Sequence, residues 1–119
     1  MKIPKFEAQT EWVRPTEFPD LRHVDEIAID LETRDPDLIK KGSGSIIGNG
    51  EVIGIAVATK LYKGYFPIAH EGGGNMDRVK VLYWLKDILE SSSTKIFHNA
   101  IYDVCWLKKM GFKINGDIV

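Results

Sequence analysis

Residues 51–59, Glu-Val-Ile-Gly-Ile-Ala-Val-Ala-Thr, are almost wholly apolar. A strand of that composition belongs in the interior of a sheet. Upstream, Ile27, Ile29 and Leu31 alternate with Ala28, Asp30 and Glu32, the period of a strand with two unlike faces. Arg34-Asp35-Pro36-Asp37 ends that strand, and 41–50 reads as a glycine-rich loop and turn. Past residue 59, Lys63-Gly64 is expected to turn the chain into a third strand, Tyr65–Ala69, so that the two form a hairpin.

The pattern then becomes helical. After the loop Gly72-Gly73-Gly74, Asn75 is the expected N-cap, with Asp77 in the first turn. Val79, Leu82, Tyr83, Leu85, Ile88 and Leu89 recur at helical spacing to about Glu90, and Ser91-Ser92-Ser93 stops the helix. Lys95–His98 reads as a short buried strand. A second helix follows from about Asn99 to Met110, with Lys108 and Lys109 at its negative end and Gly111 just beyond. The order β-β-β-α-β-α predicts an α/β sandwich that opens with a hairpin.

The 119 residues suffice for one domain, and 44% hydrophobic with 28% charged residues is a globular composition. Residues 1–25, with Pro4, Pro15 and Pro19, read as an irregular arm. A short strand is expected near Glu11–Val13, and Trp12 and Phe18 are expected to tack the arm to the body, residues 26–119. A net charge of −1 leaves no general field for nucleic acid, so any such binding must be local. The single cysteine, Cys105, excludes an internal disulfide and a multi-cysteine zinc site. No signal segment or membrane-length apolar run is present, and a reduced, cytoplasmic setting is expected, the host cytoplasm if the chain is viral.

Two residue pairs carry chemistry. Asp30 and Glu32 stand two apart on a strand and share a face. Carboxylates beside a core are costly unless paired or metal-bound, and hard ions such as Mg²⁺ and Mn²⁺ take oxygen ligands. Asn99 and Asp103 stand four apart on a helix and also share a face, with Ala100, Val104 and Leu107 on the inward stripe. Taken alone, the first pair reads as a solvated strand face and the second as an N-cap with a solvated aspartate. Together they change the reading, because an α/β crossover can carry Asp103 over the first strand. Three carboxylates would then meet, with Asn99 beside them, a cluster best explained by bound cations.

Ile29-Asp30-Leu31-Glu32-Thr33 resembles the first motif of the DEDD 3′–5′ exonucleases, and Phe97–Asp103 resembles their second, Asn-x-x-x-Asp. From about residue 24 onward the chain resembles the proofreading domain of phage-type family A DNA polymerases. Gly50–Val57, Tyr65–His70 and Gly72–Asn75 carry that likeness. The resemblance implies a ribonuclease H-like mixed sheet with flanking helices. It implies a two-metal Mg²⁺ or Mn²⁺ site that hydrolyses the 3′-terminal phosphodiester of single-stranded DNA. Asp30 would bridge the two ions, Glu32 would bind one and approach the terminal hydroxyl, and Asp103 would help hold the second. Asn99 and Thr33 would contact the terminal nucleotide. The family's third motif, a Tyr-or-His-x-x-x-Asp helix well downstream of the second, is not reached by Val119, so the expected domain is partial. The missing segment would act in cis or as a second chain, and bare apolar surface would favour self-association. The alternative is a non-catalytic nucleic-acid-binding or polymerase-subunit module.

The remaining candidates read as structural. His98 reads as a packed or strand-end histidine, and His23, His70 and Cys105 lack metal-site spacing. Cys105 is expected in the core, and Trp84 and Trp106 in the core or at its edge. Gly72-Gly73-Gly74 is no phosphate loop, because no Gly-Lys-Ser/Thr follows. Gly42-x-Gly44 lacks the setting of a dinucleotide site. Lys40, Lys41, Lys60 and Lys63 read as solvated surface.

Overall fold

The first strand, β1 (Glu26–Arg34), follows its sequence alternation closely, with Ile27, Ile29 and Leu31 buried. The structure, a computed structural model, describes residues 15–119. The strand expected near Glu11–Val13 and the anchoring of Trp12 lie outside the described residues. β2 (Glu51–Ala58) pairs antiparallel with β1, β3 (Lys63–Pro67) antiparallel with β2, and β4 (Thr94–Phe97) parallel with β1. The result is a mixed four-stranded sheet in the order β3-β2-β1-β4. Residues beyond β4 return to its free edge, where Ile118 bridges Lys95 in parallel.

Two helices flank the sheet, α3 (Arg78–Glu90) and α4 (Ala100–Lys109). One core joins Ile27, Ile29, Ile55 and Phe66 from the sheet to Leu85 and Ile88 of α3 and Trp106 and Leu107 of α4. Phe18 is stacked on Phe66 and packs against Trp84, whose indole N–H donates to Pro19 O at 2.7 Å. Phe18 and Pro19 are thereby anchored to the core, and Trp84 lies at its edge.

Several local expectations change. Asp77, not Asn75, caps α3: its carboxylate accepts from the Val79 and Lys80 amides. Val81, Leu85, Ile88 and Leu89 of this helix are buried, while Val79 and Tyr83 face out. The hairpin turn lies at Thr59–Tyr62, not at Lys63-Gly64, because the Thr59 hydroxyl accepts the Leu61 and Tyr62 amides. Two short helices form here, α1 (Leu38–Lys41) leading into the glycine-rich loop and α2 (Gly44–Ile47) within it. Ser43 caps α2, and the Asp35 carboxylate accepts the Gly44 amide. Cys105 is half-buried, not a core residue.

Lys95 is the unforeseen core residue. It is fully buried, and its ammonium donates to the carbonyls of Ser91, Ser93 and Asn115 at 2.5–2.9 Å. The cation thereby satisfies carbonyls past the end of α3 and ties them to the C-terminal segment.

Candidate functional site

β1 and β4 run parallel, so their carboxyl ends open on one edge of the sheet, and α4 starts directly from β4. Ligand sites in α/β sheets favour that edge. Asp30 and Glu32 lie in the carboxyl half of β1, on the face opposite Ile29 and Leu31. Asn99 caps α4, its Oδ1 accepting the Tyr102 amide at 3.4 Å. Asp103 sits one turn further, its amide bonded to Asn99 O.

The helix is held over β1 by Tyr102. Its hydroxyl donates to Asp35 Oδ2 at 2.6 Å and lies 2.9 Å from Thr33 Oγ1. Since Asp35 also binds the Gly44 amide, one carboxylate joins strand end, loop and helix. Thr33, an expected nucleotide contact, is engaged with Tyr102. Sequence reasoning missed this clamp. The available signal was Tyr102 itself, next to Asp103 in the motif and within reach of the residues after Glu32.

The clamp brings Asp103 beside Asp30. Asp103 is 2% exposed, and its Oδ2 has no hydrogen-bond partner. Burial raises its pKa from 3.8 to about 7, and the charge of Asp30 adds to the rise. A buried, unpartnered carboxylate oxygen within the field of a second carboxylate is an arrangement that a hard cation satisfies, so these two residues fit a divalent ion. Glu32 is exposed and does not join them. Among the described residues, no three His, Cys, Asp or Glu side chains form a group able to hold a metal ion.

The far wall of the site is Tyr65 on β3. It pairs across β2 with Ala56, the partner of Asp30. Its phenol lies over Gly54, the partner of Glu32, where a Cβ would strike the phenol oxygen. Burial, then the charges of Glu32 and Asp30, hold the hydroxyl protonated well above the usual phenol range. Tyr65 Oη is 2.5 Å from His70 Nε2. Asn75, read from sequence as a helix cap, instead clamps the backbone N–H and C=O of His70.

Along the same sheet face runs an open cleft of about 700 Å³. Ala28, Asp30, Ala56, Tyr65, Ile96 and His98 line it. His98 is exposed at the end of β4, as a strand-end histidine. Lys40, Lys41, Lys60 and Lys63 are all exposed. No helix among the described residues is long and apolar enough to cross a membrane.

No family model matches the chain. Over 81 residues, 65% of its length, it is 42% identical to a DNA-directed DNA polymerase of Pseudomonas phage M6, and it spans 12% of that protein. That similarity supports a relationship to DNA polymerases.

Proposed function

We propose that residues 26–119 form the amino-terminal part of a 3′–5′ exonuclease domain associated with a DNA polymerase, with 1–25 as an arm. The observation that carries this reading is the buried, unpartnered Oδ2 of Asp103 within the field of Asp30, on the two motifs that suggest such an enzyme. Asp30 and Asp103 would hold Mg²⁺ or Mn²⁺, and Glu32 would join on ion or substrate binding. The bound ions would supply an activated water and charge stabilisation at the leaving oxygen. The chain's own residues contribute position. Tyr102 fixes α4 against β1, Asn99 and Thr33 border the place of the terminal nucleotide, and the cleft leaves room for a further element. The partners are a single-stranded DNA 3′ end and a segment, in cis or from a second chain, that adds a further carboxylate. The setting would be cytoplasmic, the host cytoplasm if the chain is viral.

The test is nucleotide release from a 3′-labelled single strand in Mn²⁺ or EDTA, with the chain alone and with the segment that follows the matching region of the phage polymerase supplied. Mn²⁺-dependent digestion with that segment, abolished by Asp30→Ala, is expected, and the chain alone should show little. No digestion in either case, with no Mn²⁺ binding, would refute the reading. That no three-ligand group forms among the described residues favours a second reading, a module that binds an ion and a DNA end without cutting. Mn²⁺ and DNA binding without digestion would support it.

A further inference from the structure

Glu32 is exposed near the carboxyl end of β1. Its lateral neighbour on β2 is Gly54, and the space that a side chain there would fill is taken by the Tyr65 phenol. The phenol is fixed from behind. Its oxygen is hydrogen-bonded to His70, the two rings meet edge to face at 5.6 Å, and Asn75 holds the backbone of His70 from both sides.

We propose that Tyr65 is a positioning residue for Glu32, held by His70 and Asn75, an inference that rests on the metal-site reading above. The phenol denies Glu32 the space above β2 and keeps its carboxylate on the Asp30 side. With His70 Nε2–H donating to the phenol oxygen, the phenol proton is left to offer a charge-assisted hydrogen bond, directly or through water, to a carboxylate that must be ordered when an ion binds. Gly54 belongs to the same device, since a side chain there would displace the phenol.

The experiment is titration of Mn²⁺ alone into the 119-residue chain, with free ion read by electron paramagnetic resonance and folding checked by thermal melting. The variants are Asp30→Asn, Glu32→Ala, Tyr65→Phe, His70→Leu and the Tyr65→Phe/Glu32→Ala pair. Loss of a group that orients a metal ligand typically weakens binding about tenfold or more. Tyr65→Phe and His70→Leu should each weaken Mn²⁺ by about that factor, and Tyr65→Phe should have no effect once Glu32 is alanine. His70→Leu carries the test if Tyr65→Phe fails to fold. An unchanged affinity in Tyr65→Phe, or an equal loss with and without Glu32, would overturn the proposal while binding abolished by Asp30→Asn keeps the metal site. Equal binding by wild type and Asp30→Asn would remove the metal site, and the role of Tyr65 with it.

Discussion

Replacing Asp103 with asparagine should stabilise the metal-free protein at alkaline pH and leave it unchanged in acid. The Asp103 carboxyl is 2% exposed, its Oδ2 is unpartnered, and burial, then Asp30, raise its pKa from 3.8 to about 7. A carboxyl whose folded pKa exceeds its unfolded one destabilises the fold when it ionises. Below the unfolded value both states are protonated and nothing is lost. The penalty grows between the unfolded and folded values and is complete above the folded one. At ~1.4 kcal/mol per pH unit it reaches at most about 4 kcal/mol. Screening at the open sheet edge and the desolvation of the new amide reduce the net gain to about 2 kcal/mol. For a domain of this size that is a rise of about 8 °C in Tm. Thermal melts followed by circular dichroism at about pH 8.5, in EDTA, should show it, and melts at about pH 4 should not. Millimolar Mn²⁺ should narrow the alkaline gap by stabilising the wild type alone. Equal melting at alkaline pH, or a gap of the same size in acid, would refute the reasoning.

Four further outcomes follow from the same geometry. Asp30→Asn should be no less stable than wild type without metal and should lose the Mn²⁺-induced rise in Tm, read by the same melts. Gly54→Ala should cost about 1–3 kcal/mol in urea unfolding, and shortening Tyr65 to leucine in the same chain should recover part of it. Lys95→Met should cost about 3 kcal/mol, because the carbonyls of Ser91, Ser93 and Asn115 lose their donor, and amide exchange should rise at 115–119. Tyr102→Phe should cost about 1–2 kcal/mol and speed amide exchange at Gly44, whose partner Asp35 loses its second anchor.

Local pattern determined the elements of this protein. Ile27, Ile29 and Leu31 point one way and Asp30 and Glu32 the other because strand geometry has period two, and no long-range contact is needed to know it. Asn99 and Asp103 share a helix face for the same kind of reason. Where several residues could serve one local role, tertiary structure decided. Asn75 and Asp77 are both competent caps, and Asp77 is the cap because Asn75 is engaged with His70. The apolar spacing of α3 admits more than one buried face, and the fit against the sheet selected Val81 over Val79. The burial of Lys95 is invisible locally, since its acceptors include Asn115, far along the chain. The candidate site divides in the same way. Its residue types and spacings are readable, but the isolation of Asp103 Oδ2 and its place in the field of Asp30 depend on how α4 docks on β1. That docking rests on Tyr102, Thr33 and Asp35, whose contacts span 67 and 69 residues of sequence and form only when the sheet has closed.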